Sequence, residues 1–221
     1  EGLRRMVQNQ EDVYYYITLM NENYSHPAMP EGSAEGILKG LYLFSESKAK
    51  GGKDSKLPKV QLMGSGVILR EVIFAAELLE KDWGVSADIW SATSFNELRR
   101  EGLDAERWNM LNPDKPQRLS YVAKCFAKAE GPVIASTDYM KSFAEQIRGF
   151  VSNRFVVLGT DGYGRSDSRE ALRSFFEVDR YYVVVASLKA LADDGKIPAA
   201  KVAEAIKKYK LDAKKPNPTT V

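Results

Sequence analysis

From Lys59 onward the apolar positions alternate between short β-branched runs and longer stripes of helical period. Residues 60–63 (VQLM) read as a buried strand. Gly64-Ser65-Gly66 then turns into a helix whose apolar stripe is Ile68, Val72, Ala76 and Leu79, widened by Leu69, Ile73 and Ala75. Residues 87–92 give the next strand, and Ser94 with Glu97 forms a capping box opening the helix FNELRREG. Residues 103–116 read as irregular or short-helical. A stripe of Val122, Cys125, Phe126 and Ala129 predicts a helix over 121–129. Residues 132–136 form a strand, and Thr137 or Asp138 is expected to cap a helix over YMKSFAEQIRGF. Repeated βα units of this length imply α/β architecture, with a mostly parallel sheet between two helical layers.

The next unit is the most distinctive. Residues 155–158 (FVVL) are strand-like, and Gly159, Gly162 and Gly164 punctuate a loop crowded with Thr160, Asp161, Tyr163, Arg165, Ser166 and Asp167. Asp167 is the expected N-cap, with Glu170 three residues on, of a helix facing inward through Leu172, Phe175 and Phe176. Strand, glycine-rich polar loop and capped helix is where open α/β sheets meet ligands or partners. Residues 180–194 are bracketed by Asp179 and Gly195 and read as a helix, although Tyr182–Val185 alone resembles a strand. Pro198 suits the first turn of a last helix with Val202, Ile206 and Tyr209 on one face. A basic tail over 207–221 is expected to lie on the surface or fray.

Before Lys59 the pattern is broken. Residues 13–20 (VYYYITLM) are rich in β-formers and predict a strand. The connector that follows carries Pro27, Pro30, Gly32 and Gly36, and residues 37–44 supply a short apolar segment. Five lysines and paired glycines over 45–59 read as a solvated loop. A strand ending in a long irregular connector looks like the exit from a preceding domain. The division expected is therefore 1–44, a last strand plus linker, and 45–221, an α/β domain with its tail. The first residues, Glu-Gly-Leu-Arg, read as mid-protein material, so a fragment is expected.

Composition narrows the function classes. With 44% hydrophobic and 28% charged residues, the chain has material for a core. Lys+Arg 32 against Asp+Glu 30 leaves a net charge of +2, which makes no case for nucleic acid as a partner. No apolar run approaches the ~20 residues of a membrane span, and the start is read as lacking a signal peptide. The single cysteine, Cys125, rules out an internal disulfide and fits a reducing cytoplasm.

Candidate chemistry is thin. Gly64, Ser65 and Gly66 at a strand-to-helix turn are a weak candidate for holding an anion on backbone N–H groups, but the Lys and spacing of a P-loop are missing, and a tight turn with no ligand is the preferred reading. Asp161, Arg165, Asp167 and Arg169 alternate in sign and could grip a charged substrate; with Tyr163 and Ser166 they could equally form a structural or interface loop. Asp161-Gly162 invites comparison with a magnesium–diphosphate motif, Gly-Asp-Gly followed by Asn, but Thr160 precedes Asp161 and no Asn lies within 185–189. His26, the only histidine, reads as a surface residue, Cys125 as a small hydrophobe, and Trp83, Trp90 and Trp108 as packing residues.

Several stretches nevertheless closely resemble one enzyme family: YYYITLMNENYSHPAMPEG, VQLMGSGVILREV, ERWNML, ASTDYMKSFAEQIR and, above all, VLGTDGYGRSDSREALRSFFEVDRYYVV. They are similar to the end of the homodimeric, bacterial-type decarboxylating component of the pyruvate dehydrogenase complex, across essentially the whole chain. The looser transketolase pattern, an aromatic-Gly-x-Ser loop before a helix, falls on Tyr163, Gly164 and Ser166, with Leu172 and Phe176 after it.

The resemblance implies thiamine diphosphate and Mg²⁺ bound between two upstream domains of a bacterial cytoplasmic homodimer. It also implies the lipoyl acetyltransferase as partner, and a third, transketolase C-terminal-like domain. That domain would be a three-layer αβα unit with an about five-stranded, mostly parallel mixed sheet, 37–44 being the candidate antiparallel strand. No catalytic, cofactor-binding or metal residue is carried over. The expected role of the chain is architectural, and on its own it is expected to be inactive. The alternatives are a stand-alone α/β domain binding an anion or nucleotide at Gly64–Gly66 and Asp161–Asp167, or a pure interaction module.

Overall fold

The sheet has five strands in the order β1-β3-β2-β4-β5, with β1 antiparallel to β3 and every other neighbour parallel. The structure is a computed structural model that describes residues 1–20, 23–47 and 57–221. The strands are β1 Leu41–Ser45, β2 Lys59–Ser65, β3 Ser86–Ala92, β4 Val133–Ser136 and β5 Phe155–Leu158. The expected mixed α/β sheet is therefore present. Most of the 45–59 loop falls outside the described residues.

Alternation along the strands sorts the core into two halves, as the period-two geometry of a strand requires. Val60 and Leu62 of β2, Ala87 and Ile89 of β3 and Ile134 of β4 face one helical layer. That layer is α2 (Ile68–Trp83), α7 (Arg180–Asp193) and α8 (Ala200–Lys208), which contribute Val72, Leu79, Val183, Leu188 and Ala205. Met63, Trp90, Ala135, Phe155 and Val157 face the other layer, α3 (Phe95–Leu111), α4 (Tyr121–Phe126) and α5 (Lys141–Glu145). Within this second half lies a polar group: Trp90 donates Nε1–H to Gln61 Oε1 at 2.8 Å, and Gln61 Nε2 donates to Asp88 Oδ2 at 3.1 Å. Asp88 is also paired to Lys59 at 2.7 Å. Every member is satisfied, so the buried amide of Gln61 does not carry an unmet desolvation cost.

Two of the expected caps are present. Ser94 Oγ accepts from Glu97 N at 3.1 Å and opens α3, and Asp179 Oδ1 accepts from Tyr181 N and Tyr182 N to open α7. Five other expectations need correction. Residues 13–20 are not a strand: they form no regular element and are open to solvent, with Tyr14, Tyr16 and Leu19 nearly fully exposed, because no described neighbour offers a ladder. Residues 37–44 are not one strand, since left-handed Gly40 (φ +97°) ends a short helix α1 (Ala34–Lys39) just before β1. A Cβ there would lie 2.6 Å from Ser94 O, so only glycine fits.

Residues 103–116 are largely helical. α3 continues to Leu111, its first helix breaker being Pro113, and Gly102 is retained inside it because the Phe150 ring packs where a Cβ would be, 2.4 Å away. The helix expected over 121–129 is shorter, α4 ending at Phe126. The helix expected over 139–150 breaks into α5 and a separate 3-10 turn, Arg148–Phe150. Pro198 sits just ahead of α8, whose N-cap is Ala199, and the tail ends in a 3-10 turn that buries Pro218.

Candidate functional site

The glycine-rich loop between β5 and α6 (Arg169–Phe175) is pinned at both ends. Gly159 lies against α5: a Cβ there would stand 2.7 Å from Lys141 N. Asp161 Oδ1 accepts the Lys141 N–H at 3.0 Å, supplying α5 with the cap that the sequence assigned to Thr137 or Asp138. Thr137 Oγ1 instead accepts from Tyr139 N at 3.2 Å. At the far end the N-cap of α6 is Ser168, not Asp167. Ser168 Oγ accepts from Ala171 N at 3.2 Å, whereas Asp167 Oδ1 accepts from Ser168 N at 2.6 Å, one residue too early to cap.

The candidate residues are thus not gathered into one grip. Asp161 faces α5, Asp167 serves the adjacent backbone, and Arg165 lies with its guanidinium 5.3 Å from the Phe175 ring centre. Tyr163 is 81% exposed, an aromatic held outward by an anchored loop. Arg169 opens α6 on its exposed side. Ser166 lines, with Gly164, Arg165, Asp167, Leu172 and Lys215, an open groove of about 590 Å³ between the loop and the C-terminal tail.

The tail closes over the middle of the loop. Gly162 has φ +113°, and a Cβ there would come 2.3 Å from Pro218 O. Gly162→Ala is therefore expected to lift residues 216–221 off the loop at a cost of about 1–3 kcal/mol. Limited trypsin digestion read by mass spectrometry checks it: cleavage after Arg165 and Lys214 should accelerate several-fold, and an unchanged pattern would contradict it.

Gly64, Ser65 and Gly66 are placed differently from the expected turn. Gly64 and Ser65 belong to β2, and Gly64 is required by packing, since its Cβ would meet Leu69 Cα at 2.6 Å. Gly66 (φ +56°) makes the turn, with Asp138 Oδ1 3.5 Å from where its side chain would begin. Burial pushes the Asp138 carboxyl up, but when ionised it is an unfavourable neighbour for an anion.

Among the described residues, no three His, Cys, Asp or Glu side chains converge as a metal would require. With Asp161 Oδ1 given to Lys141, the residues present do not fit a magnesium–diphosphate site. His26 is exposed. Cys125 is half-buried beside Tyr121, and burial pushes its thiol up, away from the thiolate.

The strongest electrostatic feature beneath the loop was not found from the sequence. Glu71 of α2 is buried and accepts from Arg180 N, Nε and NH2 at 3.1, 2.9 and 3.1 Å, and from Arg173 NH1 at 3.2 Å. Arg173 NH2 also reaches Tyr24 OH at 3.3 Å, and Arg70 lies 4.5 Å over the Tyr24 ring, so the connector is tied to the same cluster. Burial pushes the Glu71 carboxyl up, but the hydrogen bonds and charge of Arg180 and Arg173 outweigh it and hold it below its usual range. A sequence signal existed. Glu71 stands within the apolar stripe of α2, between Ile68, Val72 and Ala75, where a carboxylate demands a cationic partner.

Residues 40–179, from Gly40 through the loop and α6 to Asp179, match the family model described as the transketolase-like TK C-terminal domain. The chain belongs to that family. Residues 1–27 match a second model, the pyruvate dehydrogenase E1 component middle domain. The chain is homologous to part of the pyruvate dehydrogenase E1 component. It is 63% identical over all 221 residues to that of Cupriavidus necator, 58% over 219 residues to that of Pseudomonas aeruginosa and 56% over 220 residues to that of Escherichia coli. It spans 24% of the length of each of these relatives, and these relatives cover 99–100% of it. Among the described residues no helix is long and apolar enough to cross a membrane.

Proposed function

We propose that this chain is the C-terminal portion of a pyruvate dehydrogenase E1 component: residues 1–39 end the pyrimidine-binding domain and form its exit linker, and 40–221, which include β1, are the third domain. The carrying observation is the 63% identity to the Cupriavidus necator protein across every residue of the chain. The whole enzyme, on this reading, is a cytoplasmic homodimer that uses thiamine diphosphate and Mg²⁺. It decarboxylates pyruvate and passes the two-carbon unit reductively to a lipoyl group of the acetyltransferase component.

The residues of this chain hold neither cofactor in that scheme. Their part is to support the dimer and back the cofactor domains, with Asp161, Tyr163, Arg165, Ser166, Asp167 and Arg169 forming a structural and interface loop. The orientation of Asp161 toward α5 and the outward Tyr163 support that role over catalysis. A stand-alone domain binding an anion or nucleotide at Gly64–Gly66 is less well supported, because Gly64 is explained by packing and Asp138 stands beside Gly66.

Release of CO₂ from pyruvate with added thiamine diphosphate and Mg²⁺ tests this. The 221-residue chain should show none, and the full-length polypeptide that carries it should show robust turnover. Turnover by the chain alone would refute the assignment of its role, and absence of turnover by the full-length protein would refute the enzyme.

A further inference from the structure

Gly159 to Asp161 are fixed to residues 138–141 through Thr160 and Asp161, whereas the unit from Gly162 to Glu177, the rest of the loop plus α6, is gripped largely by polar handles. α6 contributes no fully buried residue, and Leu172, Phe175 and Phe176 are only half-buried. Its first handle is Arg173, which spans Glu71 on α2 and Tyr24 on the connector, at 3.2 and 3.3 Å. Its second is Lys215, whose Nζ donates to Ser174 O at 2.9 Å and Phe175 O at 2.7 Å, two terminal carbonyls of α6, and also pairs with Glu177 at 3.3 Å. Pro218 of the same tail presses on Gly162. By contrast Glu71 and Arg180 are joined three times, and Arg180 stacks 3.9 Å over Phe74, so that side of the cluster is fixed.

We propose that residues 162–177 are a movable unit and that Arg173 couples it to the connector, so that the position of Tyr24 sets the position of the exposed Tyr163. Elements held by few buried contacts and by solvent-reachable hydrogen bonds open at low free energy and move as one piece. Arg173 makes one bond to the fixed side and one to the connector. When the connector shifts, Arg173 loses a partner and α6 loses one of its polar grips. The loop rides on α6 through Ser168, its shared cap residue. Arg173 acts here as a positioning residue, conveying the connector's state to the exposed Tyr163. This goes beyond the proposed role as an interface loop, because it concerns how the loop is set and not what meets it.

Amide hydrogen exchange on the full-length polypeptide, comparing wild type, Tyr24→Phe and Lys215→Met, tests the coupling. Tyr24→Phe removes one hydroxyl, and exchange throughout 162–176 should rise about three- to tenfold, the factor for one hydrogen bond of ordinary net strength. Amides of β2 and β4 should stay at wild-type rates. Lys215→Met should raise the same stretch in the same pattern. Two results overturn the proposal: in Tyr24→Phe a rise confined to 172–176 beside Tyr24, or a rise shared equally by the sheet. No rise at all in Tyr24→Phe overturns it as well.

Discussion

Glu71→Gln lowers the free energy of unfolding by roughly 2–3 kcal/mol at neutral pH, somewhat below the 3–5 kcal/mol of a fully buried pair that loses one partner. The discount follows from the partners: the Arg180 and Arg173 side chains are 32% and 18% exposed, so water screens part of the abandoned charge. The neutral amide keeps the shape but gives up the charge that two guanidinium groups face. Urea unfolding at several pH values reads both the size and the cause. A carboxyl held low in the fold contributes its stability in full above its unfolded-state pKa, about 4.3 for glutamate, and loses it as pH falls through the folded value.

Wild type should therefore weaken in acid while Glu71→Gln loses less, so that the gap between them closes with falling pH. Parallel pH curves would show that charge is not what Glu71 contributes. Asp179 works in the opposite sense. Burial raises its carboxyl against the pull of the Tyr182 and Tyr181 N–H groups, so it favours the fold in acid, in both proteins.

Gly131→Ala is expected to cost about as much or more. Gly131 precedes β4 with φ +82°, and a Cβ there would stand 1.8 Å from Lys59 O and 2.7 Å from Lys59 C. The left-handed conformation costs an alanine roughly 1–2 kcal/mol. The overlap is with the backbone of β2, which cannot rotate away, and forcing such contacts costs roughly 1–3 kcal/mol more. A loss of about 2–5 kcal/mol should appear as a lower urea midpoint. Gly149→Ala is the matched control: nothing lies within 4 Å of its Cβ, so it should stay within about 0.5 kcal/mol of wild type. Equal effects at the two glycines would show that helix and loop propensity, not the β2 contact, governs position 131.

The parts legible in the sequence were those with a local cause. The strands 60–63, 87–92 and 155–158 declared themselves by β-branched runs, and α7 by Asp179 at one end and Gly195 at the other. Period-two and period-3.6 patterns gave the layers because burial is what those patterns record. The α6 cap was missed by one residue, but several other misreadings share a different cause, a partner far away in sequence. Asp138 looked like the cap of α5 because it is adjacent, yet the cap comes from Asp161, twenty residues on. Gly102 looked like a helix end, yet Phe150 explains it. Residues 13–20 carry every local sign of a strand, but a strand exists only as part of a ladder. The candidate loop was located correctly by its glycines, whereas the Glu71 cluster beneath it joins α2, α6, α7 and the connector, and no single window of sequence contains it.

Those exposed residues 13–20 have a cost of their own. Tyr14, Tyr16, Ile17 and Leu19 are open to solvent, and the run VYYYITLM contains neither a charge nor a proline. Such a segment is a template on which a second copy can add, strand to strand, and side chains of two copies can interlock. The 221-residue chain handled by itself is therefore a protein with a built-in aggregation seed at its amino-terminal end. Lysine placed at Tyr16 and Ile17 would interrupt that seed without touching the sheet, its two helical layers or the loop.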